Sequence, residues 1–271
     1  MTGRLPPRIG TGILRIAALL IATLLLSIGH ARATGSTRAI DANTRHGVLP
    51  TDVYLPPAGT PVRGGAILSH GFMRSRHTMA QHARLLAREG VIAVTPNLPF
   101  QVDSHRNAEA LHDIAAQLRN GGFGPATDRI VLVGFSAGAL ASVLAAVDLP
   151  GIAGLVALDA FDRPSGIGLA AAKRLTVPAT AIRAPAAGCN AYGVAAPWGA
   201  AFPKADGDLY LDGATHCDFE SPTDGVCRLF CFGSDEAKRR QVEDMLRAAV
   251  LRRLPLPQCK PSTSSSSPPT C

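Results

Sequence analysis

From Val48 onward, short apolar runs alternate with longer amphipathic segments. Gly65-Ala-Ile-Leu-Ser69, Val91-Ile-Ala-Val-Thr95, Ile130-Val-Leu-Val133, Leu155-Val-Ala-Leu158, Ala179-Thr-Ala-Ile182 and Leu209-Tyr-Leu211 read as strands. Each is brief and aliphatic and ends at Gly, Pro or polar residues. His77 to Glu89, Ala108 to Arg119 and the small-residue stretch Ala137 to Val147 read as helices between them. A last helix is expected from Ser234, a cap with Asp235 and Glu236 in the first turn, to about Leu251. Strands apolar on both faces need cover on both, so the pattern predicts an α/β chain: a mainly parallel sheet with helices on both faces. No internal repeat is visible.

The ends of the chain break this rhythm. Arg4, Arg8 and Arg15 precede the thirteen uncharged residues Ile16 to Ile28, and Ala31-Arg32-Ala33 follows. This is the layout of a secretory signal peptide over residues 1–33, and the apolar run is shorter than the roughly 20 residues of a permanent anchor. The segment from Pro255 to Cys271 is rich in Pro and Ser and is expected to be poorly ordered. One folded domain over residues 34–254 remains, exported to the periplasm or beyond, with no stable membrane anchor.

Charge changes the picture less than its total suggests. The formal +7 includes four arginines within the first 33 residues, and setting these aside leaves 23 basic against 20 acidic residues. The remaining arginines are scattered, which argues against nucleic acid as a partner. No phosphate-binding loop or Gly-x-Gly-x-x-Gly turn follows a strand, so no phosphate-tailed cofactor is expected.

All six cysteines lie at or beyond Cys189, in the exported part, where disulfides are the expectation. Cys189 and Cys217 each follow a strand of the same sheet and are expected to pair, with Cys259 and Cys271 closing the tail. Cys227 and Cys231 are awkward partners for one another if helical and occupy a turn or pair elsewhere. Cys227-x3-Cys231 is the only short pair, so no metal site is expected.

Candidate chemistry gathers around one serine. Gly134-Phe135-Ser136-Ala137-Gly138 stands between the strand Ile130–Val133 and a helix, the context of a nucleophile elbow. A serine hydroxyl needs a base, and of the eight histidines only His216 follows Ser136. It sits beyond Leu211 in a loop of Gly and small residues. The acid must come between the two, yet Pro178 to Tyr192 contains no carboxylate. Asp148 ends a helix, and Asp206 and Asp208 stand at the start of the last strand. Asp159, at the carboxyl end of Leu155–Leu158, is therefore the candidate, because strand carboxyl ends carry the ligand face of an open parallel sheet. Asp162 is the runner-up, its bland alternative being a loop residue paired with Arg163. Backbone amides of Ala137 and Phe72, or less favourably Met73, are candidates for stabilising an oxyanion. Trp198 and Tyr192 are candidates for shaping the pocket.

His70-Gly71-Phe72, Gly134-Phe135-Ser136-Ala137-Gly138, Ala157-Leu158-Asp159-Ala160-Phe161 and Ala214-Thr215-His216 together resemble an α/β-hydrolase, from roughly Val48 to Leu251. An acid after Leu158 is similar to chlorophyllases and to the platelet-activating-factor acetylhydrolase type. His-Gly-aromatic in a single small domain is similar to cutinase-like polyester hydrolases, although those keep their acid one strand later. The resemblance implies a serine esterase without cofactor, acting on a small-molecule or polymeric ester, and the exported chain is expected to be a monomer. Only seventeen residues separate Asp159 from Val177, which leaves no room for a lid domain and favours soluble or bulky esters over strict dependence on an oil surface. Polyester hydrolysis and acyl transfer to an alcohol are the near alternatives. A non-catalytic binding protein of the same fold is the alternative from another class.

Overall fold

The computed structural model of the protein describes residues 35–163 and 166–257. Residues 1–33 and the pair Cys259 and Cys271 lie outside the described residues. Eight strands form one sheet: β1 (Thr37–Thr44), β2 (Gly47–Tyr54), β3 (Gly64–Ser69), β4 (Val91–Pro96), β5 (Ile130–Phe135), β6 (Gly154–Leu158), β7 (Ala179–Arg183) and β8 (Ala205–Tyr210). Their order is β1-β2-β4-β3-β5-β6-β7-β8. β2 is antiparallel to both β1 and β4, and every other pair is parallel. The first expected strand is Gly65–Ser69, so the pattern omits both β1 and β2, the latter because Pro50, Thr51 and Asp52 interrupt its apolar positions. The edge strand β1 fully buries only Ala42 and has no apolar run to mark it.

The helices are α1 (Ala80–Arg88), α2 (Ser104–Arg119), α3 (Ala137–Asp148), α4 (Ile167–Arg174), α5 (Trp198–Ala201), α6 (Gly225–Phe230) and α7 (Glu236–Arg253). α2 begins earlier than its apolar periodicity because the Asp103 side chain accepts from Arg106 N and caps it. In α7 the cap is Asp235 rather than Ser234, accepting from Ala237 N and Lys238 N. β8 also starts earlier than expected, since its outer residues are polar. Asp206 there pairs with Arg253, and Asp208 pairs with Arg183.

Every residue of β3, β4 and β5 is buried. Because side chains alternate across a strand, Ile130 and Leu132 of β5 pack with Leu111 and Ile114 of α2 and Leu140 of α3. Val131, Val133 and Phe135 face the other way, toward Leu86 of α1 and Leu246 of α7. The helices thus cover both faces. From β3 the chain crosses to β4 on one side and returns to β5 on the other, so a crevice opens at the carboxyl ends of β3 and β5. Between β6 and β7 the described residues contain only α4. No helix among the described residues is long and apolar enough to cross a membrane.

Cys189 does not pair with Cys217. Among the described residues the disulfides are Cys189–Cys231 and Cys217–Cys227, with Cα–Cα distances of 5.6 and 5.9 Å. The segment carrying α6 inserts between the loop after β7 and the turn of Cys217, so each of these meets one end of α6 instead of the other. Three of the sulfurs, on Cys217, Cys227 and Cys231, lie within 4.8 Å of one another. All three are committed to disulfides, which leaves no thiolate for a metal.

Candidate active site

Ser136 follows β5 without a spacer and occupies φ 54°, ψ −122°. A non-glycine residue at positive φ is costly, on the order of 1–3 kcal/mol, and persists only where its surroundings impose it. Here the surroundings are explicit. Ser136 N donates to Leu158 O at 3.0 Å, and Phe161 N donates to Ser136 O at 3.2 Å. A Cβ on Gly134 would collide with the backbone of Gly138 and Ala139, and one on Gly138 with the carbonyls of Ser69 and His70. The two glycines let strand, helix and neighbouring loop close around the serine.

His216 opens a short turn, His216–Phe219. Asp218 fixes that turn: one carboxylate oxygen accepts from Thr215 N at 2.8 Å, and the other accepts from Asp235 N at 2.7 Å. The Phe135 ring packs on the imidazole with centroids 4.7 Å apart. In this position His216 Nε2 is 3.0 Å from Ser136 Oγ, and Nδ1 is 2.6 Å from Asp159 Oδ2. All three side chains are buried.

Asp159 follows β6 directly, at φ 36°. Its Oδ1 accepts from Ala184 N at 3.0 Å, and Asn190 Nδ2 lies 3.3 Å from both carboxylate oxygens. Asn190 also accepts from Ala187 N and Gly193 N and donates to Pro185 O, so it ties the whole loop after β7 to the acid. Asp162 is elsewhere. It accepts from Gly168 N, Leu169 N and Trp198 Nε1, holding α4 and α5 instead of pairing with Arg163. Trp198 is accordingly buried in the core, Tyr192 is exposed, and neither of these two pocket candidates lines the cleft.

The loop after β3 passes directly over the elbow. A Cβ on Gly71 would lie 3.1–3.2 Å from the Phe135 ring and Ser136 Cβ. The Met73 amide is taken, donating to Gln101 Oε1 at 2.9 Å. Among the described residues no hydrogen bond engages the Phe72 amide, and Ala137 N belongs to the first turn of α3, where amides lack helical partners. His70 secures this loop: Nδ1 donates to Gly71 O at 2.8 Å and Nε2 accepts from Leu98 N at 2.9 Å. Burial pushes its pKa down to about 4. Arg74, two bonds to Glu220 and a third contact to Asp224, clamps the loop to the segment beyond His216. Burial raises the Glu220 carboxyl despite that partner.

The resulting cleft, about 400 Å³, is lined by Phe72, Met73, Phe135, Phe161, Val226 and Phe230 around Ser136 and His216. Asn190, Asp218 and the α6 segment had no part in the expectations. Thr215-x-x-Asp218 has capping spacing and could have drawn attention, while Asn190 lies in a Gly- and Ala-rich loop with no signal of its own.

No protein-family model matches this chain, and no curated protein sequence matches it. Solved structures do. A dienelactone hydrolase from Anabaena variabilis has a TM-score of 0.64 at 16% identity, covering 82% of this chain and 99% of its own. An α/β serine hydrolase without lid from Xanthomonas campestris has a TM-score of 0.63 at 20% identity, covering 82% and 97%. This chain has the α/β-hydrolase fold. A putative dienelactone hydrolase from Klebsiella pneumoniae has a TM-score of 0.58 at 15% identity, covering 80% and 99%.

Proposed function

We propose that the protein is a serine hydrolase of carboxylic esters. The observation that carries this reading is the hydrogen-bonded line from Ser136 Oγ through His216 to Asp159, at 3.0 and 2.6 Å, built from three separate strand ends. In this reading His216 Nε2 takes the Ser136 proton as Oγ attacks the ester carbonyl. The tetrahedral oxyanion is met by the amides of Phe72 and Ala137. His216 then passes the proton to the departing alkoxide, and the C–O ester bond breaks to leave an acyl-enzyme and an alcohol. Water, deprotonated by the same nitrogen, attacks the acyl carbon and restores Ser136, releasing the acid. Asp159 accepts from Nδ1 throughout, which fixes the tautomer and favours the imidazolium. The structural neighbours include a dienelactone hydrolase and an α/β serine hydrolase, which supports the same class.

The two disulfides among the described residues suit an oxidising compartment and support export, with residues 1–33 as the signal. A fluorophosphonate probe should label the protein at Ser136, and p-nitrophenyl acetate should be hydrolysed. Labelling at another residue, or a Ser136→Ala protein that still turns the ester over, overturns the reading.

A further inference from the structure

A second concavity, about 420 Å³, shares no residue with the cleft. Arg84 of α1, Arg228 of α6 and Arg239 and Arg240 of α7 line it, together with Glu236, Glu243 and the segment 221–223. α6 therefore borders two sites. Val226, Cys227 and Phe230 form one rim of the cleft, while Arg228 belongs to the second concavity.

The cations here are gathered without being matched. Arginines in other parts of the molecule meet carboxylates, as Arg45 meets Asp113, Arg183 meets Asp208 and Arg253 meets Asp206. Of the four in this recess, among the described residues, Arg240 alone has such a partner, Glu236 one turn before it. Glu243 is turned to Ser221 Oγ, from which it accepts at 2.7 Å. Arg239 Nη1 donates to Ser234 Oγ at 2.9 Å, and the Arg84 guanidinium lies over the Tyr54 ring, 5.5 Å from its centroid. These two contacts orient the guanidiniums but neutralise neither. Four arginines against two glutamates leave two positive charges in one recess. Cations held together on three helices repel one another, and an anion seated among them turns that repulsion into attraction.

Size, charge and donor geometry select the anion. The recess falls within the roughly 300–1,000 Å³ of a small-molecule site. Each guanidinium offers a planar fork of N–H donors that suits an oxyanion. A carboxylate has two oxygens and one charge, too few for arginines arriving from three helices. A phosphate monoester has three terminal oxygens and close to two negative charges at neutral pH, which matches both the three unpaired guanidiniums and the excess charge.

We propose that the recess among α1, α6 and α7 binds a phosphate monoester, with Arg84, Arg228 and Arg239 donating to its terminal oxygens. The ligand then links α6 to α1 and α7, whereas the disulfides tie α6 only to the loop after β7 and to the turn of His216. The proposal goes beyond the ester-hydrolase reading and does not depend on it. A free phosphate monoester and a phospholipid headgroup share this chemistry, and the test separates them.

The probes are glycerol 3-phosphate, titrated by calorimetry at constant ionic strength so that screening stays fixed, and phosphatidylcholine vesicles containing phosphatidic acid. Glycerol 3-phosphate should bind the parent and the Ser136→Ala protein with equal affinity and raise the Tm of both as its concentration rises. Arg84→Gln with Arg228→Gln should weaken binding roughly tenfold or more. The ligand-free Tm and the hydrolysis of p-nitrophenyl acetate should stay at the parent values, since both side chains are exposed and outside the cleft. Arginine-dependent binding to either probe supports the proposal, and the probe that binds names the source. Binding of neither probe, equal affinity for succinate, or unchanged affinity in the double variant overturns it. Phosphate binding without cleavage of any ester supports this site and sinks the hydrolase reading. Ester cleavage without phosphate binding does the reverse.

Discussion

The two flanks of the cleft are built by different means. On one side stand the ends of β3, β5 and β6, where every strand residue is buried and glycines allow backbones to touch. On the other side, the loop after β7 and the α6 segment expose Tyr192, Val226, Leu229, Phe230 and Phe232, and two disulfides tie α6 to that loop and to the turn of His216. Packing fixes the first flank and covalent links fix the second. His216 belongs to both, since its ring rests on Phe135 of the sheet while its neighbour Cys217 is bonded to α6. The difference teaches where each kind of damage should appear: substitutions in the sheet act on the whole fold, and reduction acts on the rim.

The largest expected effect tests whether the sheet end carries the chemistry. Asp159→Asn should lower ester turnover by roughly 10³ to 10⁴, because a neutral amide presents the wrong tautomer of His216. The KM and the thermal midpoint should change little by comparison. Steady-state kinetics on one soluble ester reads this, and an active Asp159→Asn enzyme would assign the acid elsewhere.

A direct contrast of the flanks comes next. Leu132→Ala empties space between β5 and the α2–α3 layer and should cost about 2–5 kcal/mol of global stability. Removing Cys189–Cys231 as a double serine variant reopens a link of 42 residues, for which loop entropy suggests about 4 kcal/mol. The two losses are similar in size but should differ in kind. Leu132→Ala should lower the urea midpoint seen by every probe, whereas the serine pair should first open the loop after β7 and the α6 segment to proteolysis while sheet amides stay protected from exchange. Identical protection maps would erase the distinction between the flanks.

Legibility in the sequence follows the same division. Near-continuous aliphatic runs marked β3 to β7, and the flanking glycines with Ser136 marked the elbow, because burial on both faces leaves few residue types to choose from. Asp159 emerged by elimination, from the missing carboxylate after β7. On the stapled flank nothing comparable exists. Cysteine spacing does not say where α6 inserts, so Cys189 was assigned the wrong partner. Asn190 became visible only when the loop after β7 was seen to bend back onto Asp159. β1, β2 and the beginnings of α2 and β8 escaped for a related reason, since polar caps, interrupted runs and exposed edge residues carry no apolar period.

A pH dependence sharpens the comparison within the sheet flank. His70 is buried with its pKa lowered to about 4 from 6.5, and its Nε2 must accept from Leu98 N. The unfolded chain therefore takes up a proton before the folded one. The stability that comes from keeping His70 neutral is complete above pH 6.5 and is lost as pH falls toward 4, amounting to about 3 kcal/mol. His82, also lowered by burial, contributes with the same sign. Denaturant melts at pH 7 and pH 4.5 should show a smaller drop in His70→Gln than in the parent, with His82 cancelling in the difference. Equal drops would mean that His70 does not titrate in this window.

The smallest effect on turnover is expected at Asp162, and it separates holding the fold from doing the chemistry. Asp162 is as buried as Asp159 and lies three residues further along the same loop. Its oxygens accept from two α4 amides and the Trp198 indole, none of which touches His216. Asp162→Asn keeps one carbonyl acceptor but turns the other oxygen into a donor facing donors, a mismatch that costs about 1–3 kcal/mol when buried. Its kcat on soluble ester should remain within a few-fold of the parent while its Tm falls. Asp159→Asn should show the opposite pattern. If instead Asp162→Asn abolished turnover at unchanged stability, the carboxylate nearest His216 would not be the one that orients it, and the geometry at the end of β6 would have to rearrange before reaction.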